Sequence, residues 1–189
     1  MTEQELLLDV IRRLNRVSVE YMLTGSMASN YWGIPRTTHD LDFVVSFQVA
    51  AASRLVQEFC EGFYIDEASV RAAFRAPHQF NAIDLRSALK VDFWMLRPAP
   101  FEQEMFRRRA RITLLGEPTW IASAEDVVLH KLYWHTITPS ERQLGDAVGV
   151  VAVQGSALDA GYLRRWAAEL KVSATLEDLL AGRIRPKRT

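Results

Sequence analysis

An α+β (α/β) fold is what this 189-residue sequence predicts: a mixed sheet flanked by helices, followed by a C-terminal helical lobe. Three observations carry that expectation. Apolar runs rich in β-branched and aromatic residues recur at about 20–24, 39–45, 79–85 and 89–96, each bounded by turn-forming residues. Amphipathic helical stretches are interleaved with them. From residue 119 onward only helical periodicity remains. The chain therefore divides into a sheet domain, 1–118, and a helical subdomain, 119–189, packed on it without a flexible linker.

The elements follow in order. Leu6, Leu7, Val10, Ile11 and Leu14 recur at helical spacing over about 3–16 and form a stripe for the sheet. A first strand, about 20–24, ends at Thr24-Gly25. Ser26 to Trp32 is the next helix, with Ser26 as its cap, and Gly33-Ile34-Pro35 ends it. The run at 39–45 is the second strand. Val49, Ala52, Leu55, Val56 and Phe59 define a helix over about 48–60, where Cys60 reads as a small core residue. A short helix over about 67–75 follows, and Pro77-His78 opens the strand that ends near Leu85. That strand and the next, Leu89 to Leu96, form a hairpin. Phe101 to Arg109 is a charged helix, and 111–115 an edge strand ending at Gly116-Glu117-Pro118. Ser123, with Asp126 three residues on, starts the first helix of the lobe.

The chemistry concentrates between Gly25 and Asp42. On a strand, residues i and i+2 share a face, so Asp40 and Asp42 project together. Adjacent carboxylates repel, and a divalent cation relieves that cost; hard oxygen ligands suit magnesium. Gly25 and Ser26 stand where a strand hands over to a helix, a place whose free N–H groups favour phosphate. The plainer alternative is a helix cap beside a surface acidic pair. Asp92, between Val91 and Phe93, is a further carboxylate in an apolar strand. It either joins the acidic site or points to solvent beside Lys90. Asp84 on the neighbouring strand is its rival.

The pattern Gly-Ser, helix, Gly-x-x-Arg-x-Thr-x-Asp-x-Asp resembles the DNA polymerase β-like nucleotidyltransferase superfamily. Within it the chain is most similar to AbiEii-type abortive-infection toxin domains and their bacterial relatives. The resemblance implies transfer of a nucleoside monophosphate from an NTP to an acceptor, with loss of pyrophosphate. It implies that Asp40 and Asp42 bind two Mg2+ ions, with Asp92 as third carboxylate near the acceptor, and that Gly25 and Ser26 hold phosphates. A second likeness lies in Ala-Glu-Asp-Val-Val-Leu-His-Lys and Glu-Arg-Gln-Leu-Gly-Asp. By it Lys131 faces the triphosphate and Asp146 orients it, although Gly145-Asp146 departs from the commoner Lys-Asp pair. An interhelical ion pair between Lys131 and Asp146 is the alternative. Arg36 or Lys131 would neutralise the leaving pyrophosphate. A toxin-like member takes RNA as acceptor and has an antitoxin partner. A resistance-type member adenylylates a small hydroxylated antibiotic. A third possibility is a non-catalytic nucleotide-binding module of the same fold.

Bulk composition narrows the classes. Lys plus Arg number 23, as do Asp plus Glu, so no global basic field marks a nucleic-acid binder. The clusters at Arg107-Arg108-Arg109-Arg111 and Arg183–Arg188 read as a solvated helix face and a frayed end. One cysteine excludes an intrachain disulfide and a thiolate zinc cluster. No apolar run spans a bilayer, and Met1 to Glu5 lacks the basic start of a signal peptide, so a cytoplasmic location is expected. No Walker-type phosphate loop occurs. His39 precedes the acidic pair and is placed to touch a substrate. His78, His130 and His135 are too scattered to form a ligand set.

Overall fold

The computed structural model describes residues 2–76 and 78–185; Met1, Pro77 and residues 186–189, the end of the basic tail, lie outside the described residues. Along the chain the elements are α1 (Glu3–Val17), β1 (Glu20–Leu23), α2 (Gly25–Trp32), β2 (Leu41–Ser46), α3 (Ala52–Phe59), β3 (Phe63–Tyr64), α4 (Glu67–Ala72), β4 (Gln79–Asp84), β5 (Lys90–Met95), α5 (Pro100–Arg107), β6 (Ala110–Leu114), β7 (Glu117–Ile121), α6 (Ala124–Ile137), α7 (Glu141–Gln154), α8 (Ala160–Glu169) and α9 (Ser173–Leu180). Their described residues fall into two compact units, one running up to Thr24 and again over Thr38–Ile121, the other over Gly25–Thr37 and from Ala122 onward. Among the described residues no helix is long and apolar enough to cross a membrane.

The first unit holds one seven-stranded mixed sheet, ordered β3-β4-β5-β2-β1-β7-β6. β2 runs parallel to β5, and β1 parallel to β7; the remaining neighbours are antiparallel. α1 starts on a capping box: the Glu5 N–H donates to the Thr2 hydroxyl, and the Thr2 N–H donates to the Glu5 carboxylate. Its Leu6, Leu7, Val10, Ile11 and Leu14 are all fully buried. On the sheet, Phe93 stacks on Phe80 and Phe43 at centroid distances of 4.9 and 5.9 Å, and Phe59 of α3 meets its edge at 5.7 Å. Such pairs each add about 0.5–1.5 kcal/mol to the apolar area that they bury. They fix which face of β2 and β5 turns inward.

Three local expectations change. Residues 48–60 are not one helix: a 3-10 turn, Val49–Ala51, precedes α3. Cys60 caps the end of α3 and is exposed, its thiol near the Gln57 carbonyl, so it is no core residue. The sheet also runs past Pro118. Leu115 and Gly116, both at positive φ, turn β6 back into β7, whose Thr119 and Ile121 are buried.

The second unit gathers α2 with α6–α9. Ser123 caps α6 as its spacing predicts, its hydroxyl accepting from the Asp126 N–H. The turn after α2 lies hard against α7. A Cβ added at Gly33 would stand 2.7 Å from the Val150 nitrogen, 2.8 Å from the Gly149 carbonyl carbon and 2.9 Å from the Ser29 oxygen. All three are backbone atoms, so no side chain can swing aside. Gly33→Ala is therefore expected to cost about 2–3 kcal/mol through overpacking, read as a lower urea midpoint at unchanged slope.

Candidate functional site

The carboxylates of the first unit are positioned by strand register. In the parallel β2–β5 pair, Asp42 stands opposite Asp92, between the pairs Leu41–Val91 and Phe43–Phe93. Neighbouring strands lie about 4.8 Å apart, so the two acidic side chains leave the same face side by side. The apolar pairs on either side turn to the opposite face and are buried. Asp42 accepts from the Trp94 indole N–H at 3.4 Å. Asp92 is 13% exposed; one oxygen accepts from the Gln79 amide at 3.2 Å and the other pairs with the Lys90 ammonium at 2.7 Å.

Asp40 sits differently from the expectation. β2 begins at Leu41, so Asp40 belongs to the approach to the strand; it is exposed, with its N–H donated to the Thr38 hydroxyl at 3.3 Å. Lys90 nevertheless senses all three acids. Its pKa is raised first by the hydrogen bond to Asp92, against a smaller opposing effect of burial, and further by the charges of Asp92, Asp40 and Asp42. Among the described residues no group of three or more His, Cys, Asp or Glu side chains is gathered closely enough to hold a metal ion.

Asp84 lies elsewhere. Its N–H donates to the Leu89 carbonyl, which sets it on the Phe93 face of the sheet, opposite to Asp92. It is fully buried and serves the β4–β5 turn, accepting from the Ser87 N–H, the Ser87 hydroxyl and Arg86 at 2.6–2.9 Å. Burial raises its pKa, but the hydrogen bonds from Ser87 and Arg86 outweigh that and hold it below the usual carboxylate range. His39 is exposed and joins the Glu3 carboxylate of α1 at 2.6 Å.

A second cluster forms within the helical unit around Asp146 of α7. The Arg36 guanidinium grips both of its oxygens, at 2.6 and 2.9 Å, and the Lys131 ammonium of α6 lies 2.7 Å away. The Ser29 hydroxyl completes the shell at 3.3 Å. A further Arg36 N–H reaches the Ser26 hydroxyl at 2.8 Å. Ser26 therefore lies inside the first turn of α2 and accepts from Arg36, with its own O–H left to donate, in place of the capping role expected for it. Gly25 just before it is at φ 63°. Asn30 clips the loop by accepting from the Arg36 N–H and donating to its carbonyl. The Lys131–Asp146 ion pair thus exists, with Arg36 as its third member.

Ser29 and Asn30 were not singled out in the sequence. Ser29 stands one helical turn from Ser26, and that spacing was the available signal.

Comparison with solved structures places this architecture. The antibiotic-resistance factor ANT(2'')-Ia in solution matches with a TM-score of 0.64 at 12% identity, over 96% of this chain and 97% of that one. Its complex with adenylyl-2''-tobramycin matches at 0.62 and 12% identity, over 90% and 98%. The chain shares the fold of these structures. An antigenic nucleotidyltransferase-like protein from Paracoccidioides brasiliensis matches with a TM-score of 0.57 at 13% identity, over 97% of this chain and 94% of that one. No protein-family profile and no curated protein sequence matches the chain.

Asp146 generates a pH-dependent test. Burial raises its pKa, but hydrogen bonds and charge from Arg36 and Lys131 outweigh that and depress it. A carboxyl depressed on folding stabilises the protein above its unfolded value, near ~4, and loses that contribution as pH falls through the lower folded value. Asp146→Asn is expected to cost roughly 2–4 kcal/mol at pH 7. Urea unfolding at pH 7 and pH 3 should show the gap to the parent protein narrowing at the lower pH.

Proposed function

We propose that the protein is a nucleotidyltransferase that moves a nucleoside monophosphate from an NTP to a hydroxyl group of a small molecule. The observation that carries this is the side-by-side placement of Asp42 and Asp92 on parallel strands of a nucleotidyltransferase fold. The likeness to ANT(2'')-Ia supports a small acceptor, since it runs over 96% of this chain and 97% of that one, and that protein is known with adenylyl-2''-tobramycin. A formal net charge of zero supports it too, because RNA backbones are gripped by excess basic charge. An RNA acceptor with an antitoxin partner has no comparable support.

Magnesium fits the donor set: Asp42 and Asp92 offer hard oxygen atoms on one face, where Lys90 already brings a cation to Asp92. Asp42 and Asp92 would hold the metal, with Asp40 supplying a further carboxylate for a second ion. When bound, magnesium supplies positive charge for the attacking and leaving oxygens. In the transfer, the acceptor oxygen bonds to the α-phosphorus as the bond to the pyrophosphate oxygen breaks. Asp92 takes the acceptor's proton. The Ser26 O–H donates to a phosphate oxygen beside the Gly25 backbone. Within the helical unit, Lys131 and Arg36, fixed by Asp146, are cations suited to phosphate oxygens.

Labelled NTPs offered with a panel of hydroxylated small molecules, and separately with tRNA, test the reading. Label on a small molecule with release of pyrophosphate is expected. Asp42→Asn or Asp92→Asn should each lower turnover roughly a hundredfold or more, with stability within about 1 kcal/mol of the parent. Asp84→Asn should lower stability instead and spare turnover per folded molecule. Label on RNA alone would overturn the small-molecule acceptor.

A further inference from the structure

The carboxylate face already carries its own cation. Lys90 and Asp92 are two apart on β5 and therefore share a face, and the ammonium lies 2.7 Å from Asp92. The other Asp92 oxygen is held by Gln79, so the side chain is fixed from both sides. In the β2–β5 register Asp42 stands opposite Asp92, so Lys90 shares its face with both acids. The side chain of Lys90 is 50% exposed on a flexible four-carbon stem, free to leave by rotating into water.

We propose that Lys90 is a positioning residue whose ammonium is the resident counter-ion of the face shared by Asp42 and Asp92 in the metal-free protein, and that a divalent cation binds by displacing it. This rests on the metal-dependent reading of the same face given above. Two consequences follow from charge alone. Adjacent carboxylates without a cation repel, and Lys90 offsets that repulsion between Asp42 and Asp92 until metal arrives. A partly exposed ion pair is weak, so a divalent ion can displace the ammonium, but the ion enters against the lysine charge. Lys90 thereby weakens metal binding when no triphosphate is present. A triphosphate brings negative charge of its own, which favours both the entering metal and the displaced ammonium, so the metal is taken up preferentially with its nucleotide.

The probe is Mn2+, whose free fraction is counted by electron paramagnetic resonance, with no nucleotide present. Lys90→Met removes the charge and keeps the stem; Lys90→Arg keeps the charge. A +2 ion about 6 Å from a removed unit charge, in surroundings close to water, gains about tenfold in affinity. Lys90→Met should therefore bind Mn2+ about tenfold more tightly than the parent, and Lys90→Arg within about threefold of it. Melting in EDTA gives a second readout: Lys90→Met should melt below the parent, and saturating Mn2+ should close that gap. Equal or weaker Mn2+ binding by Lys90→Met, or no Mn2+ binding by any of the three proteins, overturns the proposal. Nucleotide transfer by the parent is scored separately. Tighter binding by Lys90→Met in a protein that transfers nothing would uphold the Lys90 role and sink the transferase reading. Transfer by the parent with Mn2+ affinity unchanged in Lys90→Met would do the reverse.

Discussion

The parallel pairing of β2 with β5 is the constraint on which the acidic face depends. Side chains alternate along a strand, so a slip of one residue would turn every carboxylate to the helix-covered side. The apolar pleat prevents it. Leu41, Phe43 and Val45 stand opposite Val91, Phe93 and Met95, and all six are buried. The stacked rings of Phe80, Phe93 and Phe43 continue that lock across three neighbouring strands, β4, β5 and β2. The core therefore specifies the chemistry of the opposite face. Asp42 and Asp92 are adjacent because the residues between and beside them must be inside.

In the helical unit the organising group is a single buried anion. Asp146 holds Arg36 and Lys131 and receives Ser29, so residues from α2, the turn after it, α6 and α7 share one carboxylate. Such a cluster is expensive to break, since removing the anion leaves two cations facing each other. It also draws Arg36 to Ser26, the residue that the sequence resemblance associates with phosphate. Folding and the proposed chemistry thus use the same side chains. Gly33 belongs to this arrangement, because its missing Cβ lets the turn that carries Arg36 lie against α7.

Much of the fold was legible because its signals are periodic and local. The stripe of α1, the alternation of β2 and β5 and the Ser123 cap all appear as spacings. β7 was hidden by Pro118, which reads as a terminator although the hairpin with β6 tolerates it. The sequence favoured Asp92 over Asp84 by strand context and resemblance, without showing which face each one takes. Both sit in apolar strands, and only the turn at Arg86–Ala88, which pairs Asp84 with Leu89, decides which face each one takes. The Lys131–Asp146 pair was visible only as an alternative, an ion pair between two predicted helices. Its third partner was not, because Arg36 lies 110 residues from Asp146 and reaches it only through tertiary folding. Asp40 was over-read: the strand begins one residue later, so its shared face with Asp42 does not rest on sheet pairing.

The central claim is that the face shared by Asp42 and Asp92 carries a divalent cation for nucleotide transfer. Crystals grown with Mn2+ and a non-hydrolysable NTP, measured at the manganese absorption edge, test it most directly. The account predicts an anomalous peak within coordination distance of both Asp42 and Asp92, with the Lys90 ammonium withdrawn from Asp92. A bound nucleotide whose manganese lies away from both carboxylates, with Lys90 still paired to Asp92, would contradict it.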